Sequence, residues 1–240
     1  MYKNHRILAI VPAFNEQEKI GRVVERTDFC VVDTVMVIDD GSTDDTAKVA
    51  AEKGAEVISV PRRTGVGAAI RIGLQHARHR GYDIAVVMAG NNKDDPSEIP
   101  RLLDPICDGH HDFVMGSRFL NGGHYGGDMP FYRKIATRMH PWLFSRFCGT
   151  RLTESTNGFR AIRLSVLDDD RINLDQRWLD TYALEVYLLW KVVKLGYRHT
   201  EVPCTKVYPS KSIGYTKMRP VLDWWSILRP IFLLGLGLKN

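Results

Sequence analysis

Short apolar runs rich in β-branched residues recur along the first half of the chain: ILAIVP (7–12), TVMVID (34–39), AEVISV (55–60), IAVVM (84–88) and DFVMGS (112–117). Between them stand polar segments with apolar residues at helical spacing: NEQEKIGRVVERT, STDDTAKVAAEKG, VGAAIRIGLQHARHRG and PSEIPRLLDPI. Continuous apolar runs read as strands buried on both faces. Strands alternating with helices of this length predict βαβ units and a parallel sheet covered by helices on both sides. Right-handed crossovers then place the carboxyl ends of these strands on one edge, where open α/β sheets bind ligands. The helix starts agree. Ser42 and Thr43 precede a helix with Asp45 and Thr46 in its first turn, and Pro96, Ser97 and Glu98 open another.

The second half is less regular. GGHYGGD (122–128) reads as a mobile, glycine-rich loop. YRKIATRMHPWLFSRF reads as an Arg- and aromatic-rich helix interrupted near Pro141. TNGFRAIR (156–163) reads as a short strand, YALEVYLLWKVVKLG as an amphipathic helix, and YRHTEVPCTKVYP as a closing strand. With no internal repeat and no low-complexity linker, residues 1–217 form one expected domain and 218–240 a C-terminal amphipathic segment. In that segment the longest uncharged stretch after Arg229 is Pro230–Leu238. This is far short of the ~20 apolar residues of a transmembrane helix. Two tryptophans, an arginine and then leucines suit a helix lying in a membrane interface. A terminal helix packed on the core explains the same pattern equally well.

Composition narrows the class. With 44% hydrophobic and 25% charged residues, the chain has the make-up of a globular protein with a substantial core. Cys30, Cys107, Cys148 and Cys204 form no CxxC pair, which argues against a zinc site or a disulfide scaffold and for a reducing compartment. The amino terminus lacks the long apolar core of a signal peptide. A cytoplasmic protein is expected, with peripheral attachment to the inner face of the membrane as its membrane-bound form. The net charge of +5 suits a phosphorylated or nucleotide ligand or an anionic membrane surface, and is too diffuse to indicate nucleic acid.

Three strand ends carry candidate chemistry. VPAFNE puts Pro12, Ala13, Phe14 and Glu16 just after the first strand, although a carboxylate at a helix start is favourable on its own account. VIDDGSTDDT puts Asp39 and Asp40 on the same edge, where a carboxylate accepts hydrogen bonds from a ribose or a base N–H; a plain helix-start cluster is the alternative. The run IAVVMAGNNKDDP (84–96) ends in amides, a lysine and two aspartates. That suggests a cation or phosphate loop, yet Asp-Asp-Pro is also an ordinary way to begin a helix.

Taken in order, VPAFNE, VIDDGSTDDT, RRTGVGAAIRIGL (62–74), MGSRF (115–119), TNGFRAIR and EVPCTKVYPSKSIGYTK (201–217) resemble the family 2 glycosyltransferases of the GT-A fold. Within that family the resemblance is to the polyprenyl-phosphate sugar synthases, the dolichol-phosphate mannosyltransferase-like branch, and covers about residues 6–217. It implies a GT-A, Rossmann-like α/β fold and a hexosyltransferase using a GDP- or UDP-linked sugar donor and a lipid-phosphate acceptor, with inversion. The donor pocket would comprise Pro12, Ala13, Phe14, Glu16, Asp39, Asp40, Gly65, Ala89, Gly90, Asn91 and Lys211. Glu16 would face the ribose and Asp40 the base. Arg118 and Arg133 would hold phosphate.

The chain departs from the family at three places. Arg63 stands where the family usually has Asn. Lys211 and Thr216 replace Arg and Ser of the closing motif, which costs the bidentate fork at Lys211. The family's two metal-binding aspartates align with Ala89 and Asn91. The implied Mg²⁺ or Mn²⁺ would then rest on Asn91 and Asp94, with Asp95 as the helix cap. Lys93 neutralising the diphosphate in place of a metal is the alternative. A lipid-phosphate acceptor needs no general base. A saccharide hydroxyl would need one, for which Glu185 is the candidate and Asp180 a weaker one. The remaining alternative is a non-catalytic nucleotide-sugar-binding module.

Overall fold

The computed structural model describes residues 1–129, 131–208 and 222–239. The five apolar runs become β1 (Ile7–Ala13), β2 (Thr34–Asp39), β3 (Glu56–Ser59), β4 (Ile84–Val87) and β5 (Phe113–Ser117). The intervening segments become α1 (Gln17–Glu25), α2 (Thr46–Glu52), α3 (Val66–His79) and α4 (Ile99–Cys107). Then follow β6 (His124–Gly127), α5 (Phe131–Cys148), β7 (Arg160–Arg163), α6 (Ala183–Lys194), β8 (His199–Pro203), β9 (Thr205–Tyr208) and α7 (Leu222–Gly235).

Seven strands make one sheet in the order β3-β2-β1-β4-β7-β5-β8. All neighbours run parallel except β7, which lies antiparallel between β4 and β5. The period of two along β1 splits the core. Ile7, Ala9 and Val11 face one side with Ile20 and Val24 of α1 and Leu102 of α4. Leu8 and Ile10 face the other with Ile70 and Leu74 of α3 and the buried residues of α6. A Cβ on Gly73 would sit 2.5 Å from Ile10 Cγ2, so glycine lets α3 lie close on β1. The register pairs Ala13 with Asp39 and Asp39 with Ser59, which aligns the strand ends that carry the candidate residues.

Three readings of the sequence change. The glycine-rich 122–128 segment is not a loop throughout: β6 within it pairs in parallel with β9. Gly127 has φ +75° and its Cβ would lie 1.9 Å from Tyr208 O, so this approach excludes any side chain. The expected closing strand divides into β8 and β9 at Cys204, whose amide bonds Ser117 O as the chain leaves the large sheet. Finally, α5 continues through Pro141. One missing backbone donor is outweighed by burial of His140, Pro141 and Phe144 along the same turn.

The C-terminal helix α7 has a buried side, with Ile231 and Leu234 in the core and Phe232 edge-on to Phe147. Trp225, Leu236 and Leu238 are exposed. No helix among the described residues is long and apolar enough to cross a membrane.

Candidate active site

The ends of β1 and β2 are knitted together by short polar side chains. Asn15, at φ +50°, donates its amide to Ser42 Oγ and accepts from Thr43 N, while Glu16 N bonds Thr46 Oγ1. The Glu16 carboxylate pairs with Lys19 at 2.9 Å. Asp39 Oδ1 accepts from Ser42 N. Asp40 is buried and takes three hydrogen bonds at 2.7–2.9 Å, from Thr64 N, Thr64 Oγ1 and Gly65 N. It therefore moulds the 62–65 turn. Gly65 has φ +117° and a Cβ there would lie 2.4 Å from Asp180 O, so the entry to α3 requires glycine. Arg63 from the same turn stacks its guanidinium 4.3 Å from the Phe14 ring centre, so the departure from Asn puts a cation on the strand-one aromatic.

The loop after β4 is arranged differently from a carboxylate metal loop. Asn91 Oδ1 accepts from Lys93 N at 3.3 Å. Asp94 is buried with its Oδ1 2.5 Å from Lys206 Nζ, and Lys206 also donates to Asn157 Oδ1 at 2.7 Å. Asp95 accepts from Ser97 N and Oγ, the helix cap that its place before Pro96 suggested. The Lys93 ammonium is buried 5.1 Å from the Tyr208 ring centre. Burial first, then the neighbouring Arg133 and Lys206, push it down to about 7. Arg133 lies over the same ring at 5.7 Å.

Arg118 closes the far wall. It donates Nε to Glu154 at 2.7 Å, one terminal nitrogen to the Tyr208 hydroxyl at 3.0 Å and the other to Thr156 Oγ1 at 3.4 Å. Burial works against its charge, but Glu154 and Tyr208 outweigh that and hold it above the ordinary arginine range. Glu154 also accepts from the amides of Ser155 and Thr156. Arg160 binds Asn157 O and Glu185 O and stands 3.6 Å from the Glu185 carboxylate; burial lowers its pKa despite that partner. His140 sits between Ser155 Oγ (2.6 Å) and Ile227 O (3.3 Å). A carbonyl only accepts, so Nε2 carries the proton and Nδ1 accepts from Ser155. Burial pushes this ring down to about 4.

These groups surround a cavity of about 240 Å³ that extends from the strand ends to α5, α6 and α7. Pro12, Ala89, Asn91, Arg118, Arg133 and Glu185 line it. Ala13 and Gly65 adjoin the lining residues Pro12 and Val66 in the chain, and Phe14, Glu16, Asp39 and Asp40 stand at the neighbouring strand ends. Gly90 packs under the loop, 3.1 Å from Ala13 Cβ when given a Cβ, and Asp94 is turned to Lys206 behind the wall. Asp180 is tied to Arg71 at 2.7 Å and its carbonyl to the first turn of α3, a structural role. Lys211, Gly214, Thr216 and Lys217 lie outside the described residues.

Lys206, Tyr208, Arg160, Asn157, Glu154 and His140 are site residues that motif spacing did not single out. Alternation in TKVY places Lys206 and Tyr208 on one face of β9, a signal present in the sequence. The contacts of Glu154 with Arg118 and of Asn157 with Lys206 span 36 and 49 positions and leave no local trace.

The donor set does not fit a divalent ion. Mg²⁺ and Mn²⁺ take hard oxygen ligands. Position 89 supplies a methyl group, Asn91 a neutral oxygen, and Asp94 a carboxylate already held by an ammonium. Among the described residues no three His, Cys, Asp or Glu side chains are grouped to hold a metal.

A mostly parallel α/β sheet with carboxylates at its first two strand ends and a cationic cavity beyond the fourth has the architecture of a GT-A glycosyltransferase. The match to known proteins specifies it further: residues 8–171 fit the family Glycosyl transferase family 2, and the chain belongs to that family and is a glycosyltransferase. It is 32% identical to the polyprenol monophosphomannose synthase of Mycolicibacterium smegmatis, over 89% of this chain and 81% of that one. It is 33% identical to the undecaprenyl-phosphate mannosyltransferase of Micrococcus luteus, over 89% and 87%. The fold is shared with glucosyl-3-phosphoglycerate synthase from Mycobacterium tuberculosis, solved in complex with Mn²⁺, uridine diphosphate and phosphoglyceric acid. That match has a TM-score of 0.70 at 22% identity, covering 99% of this chain and 80% of that one.

Proposed function

We propose that this protein transfers a hexose from a GDP- or UDP-linked donor to a polyprenyl phosphate, with inversion at the anomeric carbon. One observation carries the reading: among the described residues, five cationic side chains and a single carboxylate, Glu185, line a cavity that begins at the strand ends and reaches the apolar residues Ile227 and Leu228 of α7. Such a wall suits two phosphate-bearing substrates, one of them lipid-linked. The names of the mannosyltransferase relatives point to the same acceptor class.

In this reading Asp40 and the 62–65 turn it shapes receive the base, Glu16 the ribose, and Arg118 and Arg133 the phosphates. An acceptor phosphate oxygen attacks the anomeric carbon from the face opposite the nucleotide. The bond from that carbon to the β-phosphate oxygen breaks, and its electron pair stays on the departing oxygen, where cationic side chains stabilise it. The acceptor is already anionic, so no proton is removed, and Glu185 serves to position Arg160. Lys211 would add charge from the closing segment. If a Mg²⁺ or Mn²⁺ joins the donor, Asn91 and the donor's own phosphate oxygens are the ligands on offer, since Asp94 is committed to Lys206.

The exposed face of α5 supports peripheral membrane attachment. Phe131, Ile135, Met139 and Trp142 are exposed at helical spacing, interleaved with exposed Lys134, Arg138 and Arg146, and the helix has no acid. Residues 218–240 would then be a second interfacial segment beside the 1–217 domain.

The test is release of nucleoside diphosphate from GDP- and UDP-sugars on adding undecaprenyl phosphate in detergent. Lipid-phosphate-dependent release is expected. Release that instead requires a saccharide hydroxyl, or binding without turnover, overturns the acceptor assignment.

A further inference from the structure

We infer that Lys93 and Arg133 form a two-cation clamp on the donor diphosphate that makes its binding independent of a divalent metal. The inference rests on the donor assignment above.

Three observations meet here. The loop after β4 presents an ammonium where a metal loop would present carboxylates: Lys93 is buried in the cavity wall, and the adjacent carboxylate, Asp94, is bound to Lys206 at 2.5 Å. A divalent ion seated at Asn91 would have to displace Lys206 from Asp94 and lie beside a second ammonium. Next, the wall is cationic throughout: Arg118, Arg160 and Lys206 line the same cavity as Lys93 and Arg133. Finally, Tyr208 gathers the clamp. Lys93 and Arg133 lie 5.1 Å and 5.7 Å from its ring centre, and its hydroxyl accepts from Arg118. Two like charges held in one wall repel each other, and an anion lodged against both relieves that repulsion. With Lys93 protonated, the state that a bound anion favours, they carry two positive charges, the formal charge of the ion they would replace. The pairing of types is apt: Arg133 supplies a planar fork for two phosphate oxygens and Lys93 a compact charge for one. As the bond to the anomeric carbon breaks, the electron pair left on the β-phosphate oxygen is stabilised by these side chains without transfer of a proton.

The experiment is calorimetric titration of the full chain with GDP and UDP, and with guanosine and uridine, in excess chelator and again with Mn²⁺. The matching diphosphate is expected to bind in chelator with an affinity within about threefold of that in Mn²⁺. Lys93→Gln should weaken diphosphate binding tenfold or more and leave nucleoside binding unchanged, and Lys93→Arg should restore most of the loss. Diphosphate binding that appears only with Mn²⁺ overturns the clamp while preserving the donor assignment. This arm uses the unaltered protein, so it stands even if Lys93→Gln fails to fold. Binding of neither diphosphate under either condition overturns the donor assignment itself.

Discussion

Lys206 Nζ lies 2.5 Å from Asp94 Oδ1, joining β9 to the loop after β4 across 112 positions of sequence. Both side chains are buried, so each charge depends on the other. Lys206→Met should cost about 3–5 kcal/mol, the typical penalty for stranding a buried partner charge. Lys206→Met with Asp94→Leu removes both charges and should be more stable than Lys206→Met alone. Urea unfolding measures both. A single-variant loss below about 1 kcal/mol would show that the pair does not hold the loop.

Asp40 accepts three hydrogen bonds from Thr64 and Gly65. Asp40→Ala should therefore loosen the 62–65 turn and weaken donor binding by roughly 1.5–3 kcal/mol. Hydrogen exchange at the Thr64 and Gly65 amides should accelerate. Unchanged nucleotide affinity in a folded variant would separate this carboxylate from the donor pocket.

Arg118 uses its whole fork, with Nε on Glu154 and its terminal nitrogens on Tyr208 and Thr156. Arg118→Lys retains charge but cannot make these contacts together, so kcat/KM should fall at least tenfold. Turnover equal to that of the parent, measured as nucleoside diphosphate release, would reduce Arg118 to a wall residue.

His140 provides a pH signature. Its folded pKa, about 4 against 6.5, lies below the unfolded value because burial disfavours the imidazolium; Glu154 partly opposes this and Arg160 adds to it. The folded state therefore prefers the neutral ring. Its contribution is fully present above pH 6.5 and is lost as pH falls from 6.5 through 4, on the order of 2–3 kcal/mol. His140→Gln should flatten that part of the stability curve relative to the parent. Parallel curves for the two proteins between pH 7 and 4 would contradict a buried neutral ring.

The exposed apolar and basic positions of α5 predict flotation with vesicles containing anionic phospholipid, weakened by high salt. Ile135→Ser with Trp142→Ser should reduce the bound fraction without lowering the melting temperature, since both side chains are more than half exposed. Flotation unaffected by both substitutions would move the contact elsewhere on the molecule.

The amino-acid sequence alone determined the first five strands and four helices, because each is written in a local period of two or 3.6 and bounded by caps and turns. It also determined that Pro12, Asp39, Asp40 and Asn91 share one edge, since right-handed βαβ crossovers leave no other arrangement. Set against the family it resembles, it also places Ala89 and Asn91 where metal carboxylates would stand, with a lysine following. What tertiary structure decided is of longer range. The antiparallel insertion of β7 between β4 and β5, and the conversion of the 122–128 segment into a strand, depend on partners far along the chain. Lys93 becomes a buried wall residue beside Arg133 only because Tyr208 of β9 carries both, and Asp94 ceases to be a free carboxylate only because β9 brings Lys206 to it. Local patterns encode which face a side chain takes. They do not encode which distant charge it meets there, and in a buried wall that meeting decides whether a carboxylate is left to bind a metal.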